Sequence, residues 1–324
     1  MSRQRFLQAM QSAISEEMQR DRRVVVFGED VRISVFGATR GLVEEFGPER
    51  VRNTPISEQT IIGTALGAAA TGLRPIADLM TGNFLYTGMD QIANQIAKLP
   101  YMTGGQMRLP LVLLATTGAA GGNAAQHSDS PYPALMNLGG LKIVVPSTPA
   151  DAKGLFKSAI RDDNPVVFLQ QAAIGGLRGE VPDEVEWLVP LGVADVKRAG
   201  GDVTVVAIGM MVRRAMEAAV PLAADGIEIE VVDPRTLAPL DFDTILASVE
   251  KTGRLVVVDE ARQTCSAASE ISATVAERGF RWLKAPIQRV ASHNVPMPYS
   301  RGMENFVVPD QARIVAAVRS AMGG

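Results

Sequence analysis

Two ionisable residues stand in parts of this sequence where α/β proteins commonly place their chemistry. Glu58 follows Ser57 in TPISEQT, at the predicted start of a helix, where the helix dipole favours any carboxylate. His127 lies in AAGGNAAQHSDSPYP, a Gly- and Ala-rich segment that is predicted to be a loop between two strands. An imidazole exchanges its proton near neutral pH, but a single histidine can equally hydrogen-bond a loop to itself. From the residue types alone, a structural and a catalytic role stay open for each residue.

The usual enzyme motifs are missing, and their absence excludes several kinds of site. The sequence has no G-x-G-x-x-G, no G-x-x-x-x-G-K-[ST] and no G-x-S-x-G. It therefore predicts neither a nucleotide-binding loop nor an α/β-hydrolase nucleophile. Two histidines and one cysteine, Cys265, are too few for a histidine-rich or a cysteine-rich metal site.

Composition and charge predict a globular, cytoplasmic protein. Of the 324 residues 47% are hydrophobic and 21% are charged, and the net charge of -3 offers no basic field for nucleic acid. No stretch reaches the roughly 18 apolar residues of a membrane span. The first twenty residues, MSRQRFLQAMQSAISEEMQR, are typical of an amphipathic helix rather than a signal peptide. We therefore expect neither a nucleic-acid nor a membrane partner.

Short apolar runs alternate with helical stretches along the chain, which predicts an α/β fold of two domains with mainly parallel sheets. The runs lack polar alternation, as expected for parallel strands covered on both faces. The predicted strands are residues 24–27, 75–79, 109–115, 142–145, 166–169, 203–208, 228–232, 255–258 and 287–290. The predicted helices after the first are residues 58–72, 150–161, 212–224, 241–251, 266–278 and 310–322.

The alternation lapses over residues 179–192, GEVPDEVEWLVPLG. Two prolines and four acidic residues without periodicity are typical of a linker. We therefore predict a first domain over residues 1–185 and a second over residues 186–324.

Three segments occur together, in this order, in one protein family. NTPISEQ, RPIADLMTGNFLYTGMDQIANQIAKLPYMTGGQ and AAQHSDS closely resemble the beta subunits of pyruvate and branched-chain 2-oxo acid dehydrogenases. The likeness continues through GLKIVVPSTPADAKGLFKSAIRDDNPVVF, VVDPRTLAPLDFDTI, TGRLVVVDEA and VPMPYSRGMENFVVPD. It covers nearly the whole chain. It implies a transketolase-like pyrimidine-binding domain followed by a transketolase C-terminal-type domain.

The resemblance also implies a shared cofactor and an obligatory partner. In this family two alpha and two beta chains form the decarboxylating component, with thiamine diphosphate between subunits. The alpha chain holds Mg²⁺ and the diphosphate through a GDG motif, which this sequence lacks, and the beta chain holds the aminopyrimidine. The implied reaction is oxidative decarboxylation of a 2-oxo acid with acyl transfer to lipoyl-lysine. The second domain would serve subunit pairing and docking of the lipoyl acyltransferase core.

By resemblance, Glu58 is the carboxylate that hydrogen-bonds the pyrimidine ring nitrogen opposite the amino group. That bond favours the imino tautomer, which takes the C2 proton of the thiazolium ring. Phe84 matches the ring that stacks on the pyrimidine, and Ile56 is placed to pack against the cofactor from below. His127 matches a histidine at the mouth of the cleft, where it is suited to proton transfer during decarboxylation or acyl transfer.

A potassium site is implied by the segment SAIRDDNPVV. In some members of the family, carbonyl groups here and on a neighbouring strand enclose a structural K⁺, a hard cation that takes oxygen ligands. The matching positions are Leu111, Ala159, Ile160, Asp162 and Asn164. The alternative is a plain helix-to-strand turn without metal.

Departures from the family lie near the expected cleft, so they bear on the substrate more than on the cofactor. Asp129 replaces the usual Gln after the His-Ser pair, Gly82 replaces a bulkier residue, and residues 170–176 lack the usual acidic and Tyr positions. Pyruvate is slightly favoured as the substrate. The alternatives are acetoin cleavage, a stand-alone transketolase-like transferase, and a non-catalytic scaffold.

Overall fold

The computed structural model describes residues 1–323, which form two units. The first unit comprises Met1–Thr117 and Ala134–Leu191, and the second comprises Gly118–Pro133 and the described chain from Gly192 onward. The loop that carries His127 therefore groups with the second unit, a grouping that the sequence does not predict. The domain boundary after residue 185 stays a prediction.

Strands and helices alternate in both units. The first unit contains strands β1 (Ser2–Arg5), β2 (Val24–Gly28), β3 (Val51–Asn53), β4 (Arg74–Thr81), β5 (Val112–Thr117), β6 (Lys142–Val144), β7 (Val166–Gln171) and β8 (Arg178–Val181). Its helices are α1 (Phe6–Arg20), α2 (Leu42–Phe46), α3 (Glu58–Ala70), α4 (Leu99–Met102) and α6 (Pro149–Arg161), and α5 (Tyr132–Met136) begins in the loop 118–133. A 3₁₀ segment (Gly82–Gly88) and a π-helical segment (Gln91–Ile96) follow β4.

The second unit has the same alternation. Its strands are β9 (Asp195–Arg198), β10 (Val203–Ala207), β11 (Ile229–Asp233), β12 (Thr236–Ala238), β13 (Leu255–Arg262) and β14 (Gln288–Ser292). Its helices are α7 (Met210–Ala224), α8 (Phe242–Thr252), α9 (Ala267–Gly279), α10 (Arg301–Val307) and α11 (Gln311–Met322). Among the described residues, none of the helices combines the length and the apolar character that crossing a membrane requires.

Parallel strands form the main sheet of the first unit, in the order β6-β7-β5-β4-β2-β3. Every residue of β5 and β7 is buried, which is expected where both faces of a parallel sheet are covered. The five strands predicted in this part of the chain are confirmed, with their ends shifted by at most three residues. Because the strands are parallel, β2 and β4 end at the same edge of the sheet, and Glu29 and the segment Gly82–Gly88 continue from that edge.

The amino-terminal prediction is wrong for residues 2–5, which form the strand β1 and pair antiparallel with β8. The same pairing takes residues 179–181 out of the predicted linker. Both strands consist mostly of polar residues that are exposed or half-exposed. They therefore contain no apolar run from which a strand could be predicted. From Phe6 the amphipathic helix α1 forms as predicted, and its buried residues recur every three or four positions.

The sheet of the second unit has the order β14-β13-β10-β11-β9, with β9 antiparallel to β11 and the other pairs parallel. One face packs beneath α7 and α11, and the other beneath α8 and α9. The predicted α/β fold with two mainly parallel sheets is therefore confirmed.

Candidate active site

The start of α3 brings Glu58 and Phe84 together. Glu58 is the first residue of the helix and is half-buried. The Thr87 hydroxyl oxygen lies 2.8 Å from the Phe84 carbonyl oxygen and 3.4 Å from Glu58 Oε2. Gly88 permits this approach, because a Cβ there would lie 2.3 Å from the Ile62 side chain. The Thr87 hydroxyl thus links the Glu58 carboxylate to the backbone of Phe84.

Two apolar side chains near Glu58 in the sequence or in this contact network keep exposed area. Ile56, two residues before Glu58, is 72% exposed, and Phe84 is half-buried. A ring bound here could pack on both side chains while its N–H groups donate to the carboxylate. These residues therefore fit an aromatic base such as an aminopyrimidine.

Glu29 also lies near Glu58, although no motif marks it in the sequence. It follows the end of β2, and burial, then the neighbouring carboxylates of Asp30 and Glu58, raise the pKa of Glu29. An acidic residue directly after a buried parallel strand is the signal that could have identified it. With Glu58 it concentrates negative charge at this edge of the sheet.

His127 lies in the second unit, exposed at the end of a 3₁₀ turn, Ala125–His127. The turn begins after Ala124, whose φ of 61° and ψ of -171° belong to a region that is normally restricted to glycine. The imidazole is thus presented to solvent by a conformationally strained loop.

The departures near His127 and in β7 have clear structural partners. Asp129 forms an ion pair with Arg262, 2.7 Å between Oδ1 and the guanidinium, so its negative charge is compensated within the second unit. In the first unit the buried Gln170 amide donates to the Thr116 hydroxyl at 2.6 Å, across the β5–β7 pair. Gly82 is buried at the end of β4.

The five predicted potassium ligands cluster where α6 ends and β5 begins. The carbonyl oxygens of Ile160 and Asp162 accept hydrogen bonds from Arg74 at 3.0 and 3.1 Å, and each keeps a second lone pair. Burial opposes ionisation of the Asp162 carboxyl, but hydrogen bonds from Lys142 and Asn164 outweigh it and lower its pKa.

The remaining predicted ligands of this cluster lie beside the same turn. The Leu111 carbonyl accepts from the Val166 N–H at 3.0 Å. Ala159 stands in the last turn of α6, where helix carbonyl groups lack intrahelical partners. Arg74 and Lys142 already bring positive charge to these oxygen atoms, so a bound cation would share the ligands with them. Within residues 1–323, no three His, Cys, Asp or Glu side chains are grouped to share a metal ion.

Comparison with known proteins matches both halves of the chain to family models. Residues 3–172 match the transketolase pyrimidine binding domain, and residues 192–314 match the transketolase C-terminal domain. The fold is similar to that of a split-gene transketolase, an inactive β4 tetramer. The TM-score is 0.79 and the identity 27%, over 98% of both chains.

Curated relatives align over almost the entire chain. The beta subunit of acetoin:2,6-dichlorophenolindophenol oxidoreductase of Cupriavidus necator is 47% identical, over 98% of this chain and 96% of that protein. The pyruvate dehydrogenase E1 beta subunit of Rhizobium meliloti is 44% identical, over 97% and 68%. The 2-oxoisovalerate dehydrogenase beta subunit of Bacillus subtilis is 42% identical, over 98% of both. The chain therefore belongs to the beta subunits of the thiamine-dependent 2-oxo acid and acetoin dehydrogenases.

Proposed function

We propose that the chain supplies the pyrimidine-binding half of a thiamine diphosphate site. The observation that carries this proposal is the placement of Glu58 at the start of α3, where the Thr87 hydroxyl links it to the backbone of Phe84. Glu58 accepts a hydrogen bond from the pyrimidine ring nitrogen, Phe84 stacks on the ring and Ile56 packs against it. Bound thiamine diphosphate supplies a carbon nucleophile that accepts the electrons of a cleaved C–C bond.

The other half of the site is assigned to an alpha subunit. The sequence lacks a GDG motif, so we assign Mg²⁺ and the diphosphate to the partner, in a heterotetramer of two alpha and two beta chains. His127 exchanges a proton with the substrate or with the lipoyl thiol during acyl transfer. The second unit serves subunit pairing and docking of the lipoyl acyltransferase, and the complex is cytoplasmic.

The proposed substrate is pyruvate or acetoin. Acetoin is favoured by the 47% identity to the Cupriavidus subunit, and pyruvate by the 44% identity to the Rhizobium subunit. The two substrates deliver the same two-carbon acyl unit, pyruvate by losing CO₂ and acetoin by losing acetaldehyde. Both therefore need a small acyl pocket, whereas 2-oxoisovalerate needs a branched one.

The test is co-expression with the candidate alpha subunit, followed by turnover assays with thiamine diphosphate, Mg²⁺ and 2,6-dichlorophenolindophenol. Pyruvate, acetoin and 2-oxoisovalerate are compared at equal concentration, and each subunit alone is the control. Dye reduction that needs both chains supports the proposal and identifies the substrate. Cofactor binding without dye reduction would point to a transketolase-like transferase. A complex that binds no cofactor would be a scaffold.

We also propose that K⁺ binds among the oxygen atoms of Leu111, Ala159, Ile160, Asp162 and Asn164. The open lone pairs at the end of α6 and the ionised Asp162 support this site. The unfolding temperature of the beta chain should be higher in KCl than in choline chloride of equal ionic strength. Asn164→Ala should abolish that difference, and equal unfolding temperatures of the unaltered chain in both salts would exclude the site.

A further inference from the structure

Two carboxylates of the second unit accept hydrogen bonds from the first part of the loop 118–133, which belongs to the same unit. The backbone N–H of Ala119 donates to Glu260 Oε1 at 2.6 Å. The consecutive N–H groups of Gly121 and Gly122 donate to Glu304 Oε1 and Oε2, each at 2.9 Å. Both carboxylates are buried, with 4% and 5% of the residue exposed.

The far part of the loop is held by β13. The Tyr132 hydroxyl donates to the buried Asp259 and accepts from the Ala261 N–H at 3.2 Å. Asp129, two residues after His127, is fixed by its ion pair with Arg262. His127 is therefore flanked by anchored segments on both sides.

Glycines let the backbone approach these anchors. At Gly118, where φ is 80°, a Cβ would lie 2.8 Å from both Glu260 oxygens. At Gly122, where φ is 88°, a Cβ would lie 2.8 Å from the Tyr299 carbonyl oxygen. Only a chain without side chains at these two positions fits so close to β13 and to the segment before α10.

The anchors also account for the backbone conformation beside His127. Ala124 adopts φ 61° and ψ -171°, which a residue with a Cβ keeps only when its surroundings hold it there. It lies two residues after the Glu304 contact and three residues before His127. The residues that Glu304 binds thus lie close in the chain to the strained residue that precedes the 3₁₀ turn.

We propose that Glu304, assisted by Glu260, is the positioning residue of His127. Both carboxylates are buried and bind backbone N–H groups of the loop. Glu304 acts by holding Gly121 and Gly122, which set the start of the turn and so the direction of the imidazole. This inference rests on the proposed function, since it assigns His127 the proton transfer.

The experiment compares four forms of the alpha–beta complex: unaltered, Glu304→Gln, His127→Ala, and the double variant. Glu250→Gln, the same change at an exposed residue of α8, is the control. Gln at position 304 can accept from only one of the two N–H groups. A small misplacement of a reacting group costs on the order of 10²-fold, so Glu304→Gln should lower kcat by about 10- to 100-fold. Glu260→Gln should cost less, because one amide oxygen still serves the single N–H of Ala119.

Three readouts separate positioning from general damage to the fold. Deuterium exchange at C2–H of bound thiamine diphosphate depends on Glu58 and should be unchanged in Glu304→Gln. Amide hydrogen exchange should rise in residues 118–127 and stay constant elsewhere. In the His127→Ala background, Glu304→Gln should lower kcat by less than about two-fold further, because both changes remove the same contribution.

Independent losses in the double variant, a normal kcat in Glu304→Gln, or a normal kcat in His127→Ala would each overturn the inference. A loss of C2–H exchange in Glu304→Gln would overturn it as well, since the damage would then reach the cofactor. Failure of the proposed function is distinguishable, because the unaltered complex itself would then show neither turnover nor C2–H exchange.

Discussion

At the residue scale, the ion pair between Asp129 and Arg262 sets the charge beside His127. Asp129 places a negative charge two residues after His127 in the sequence. In the structure its partner is Arg262, which lies 133 positions further along the chain. The contact between Glu58 and Thr87 likewise joins residues 29 positions apart. Residue types identified Glu58 and His127 as candidates, but their roles came from family resemblance. Glu29 follows a predicted strand and could have been found from the sequence, whereas Glu260 and Glu304 needed the fold.

Glu58→Gln should abolish activation of the cofactor while leaving the complex assembled. The amide retains the size of the carboxylate but not its charge, so it stabilises the protonated pyrimidine nitrogen less well. We expect C2–H exchange of bound thiamine diphosphate to slow by about 10²- to 10⁴-fold. The measurement is quenched-flow deuterium exchange followed by NMR. Glu49→Gln, the same change at a side chain that is 86% exposed, should exchange normally, and a normal rate in Glu58→Gln would refute the role.

At the scale of elements, parallel strands and their helices were predictable because burial on both faces leaves continuous apolar runs. The antiparallel pair β1–β8 was not predictable, because edge strands of mixed polarity resemble loop sequence. The contact between α1 and α6 was also not predictable, because charged side chains form its centre and leave no apolar run. Lys157 and Glu17 are fully buried there, and Glu16 lies within 2.5 Å of the Lys157 ammonium. Arg161 joins Glu17 at 2.7 Å.

Lys157→Met should destabilise the first unit by about 3 kcal/mol, because it leaves buried carboxylates with fewer cations. The free energy of unfolding from urea titration of the beta chain measures this loss. Arg213→Met removes the exposed ion pair with Glu217 on α7 and should cost about 0.5 kcal/mol or less. Equal losses in the two variants would show that the α1–α6 network adds nothing beyond surface pairing.

At the scale of the whole molecule, the chain leaves its first unit at residue 118 and returns at residue 134. No local pattern predicts this excursion, because it depends on acceptors in β13 and α10 that are far away in sequence. The two-domain architecture itself could be predicted from the sequence, because the alternation of strands and helices lapses near residue 180 and then restarts.

We expect the stability of the chain to depend on pH through Asp78, a buried residue of β4. Burial raises the pKa of Asp78 to about 7, and the hydrogen bond from the Met80 N–H only partly opposes this. The folded chain thus binds this proton more tightly than the unfolded chain, whose carboxyl titrates near 3.8. The contribution of Asp78 to the free energy of unfolding is therefore largest below pH 3.8 and is lost as the pH rises through 7. This loss is on the order of 4 kcal/mol.

Asp78→Asn should therefore flatten the decline in unfolding temperature between pH 5 and pH 8. The amide oxygen can still accept from Met80, and no charge develops as the pH rises. Scanning calorimetry at several pH values measures the slope, with Glu49→Gln as the exposed control. If Asp78→Asn kept the slope of the unaltered chain, Asp78 would not be the group that titrates.

The pairing of β1 with β8 has a consequence for synthesis on the ribosome. The ribosome must add residues 6–177 after β1 before its partner strand exists. At ordinary elongation rates this takes on the order of ten to thirty seconds. The apolar face of α1 stays uncovered for almost as long, because α6, which packs on it, begins only at Pro149. During that interval the nascent chain presents an amphipathic helix without its cover, and this segment is where we expect chaperones to engage.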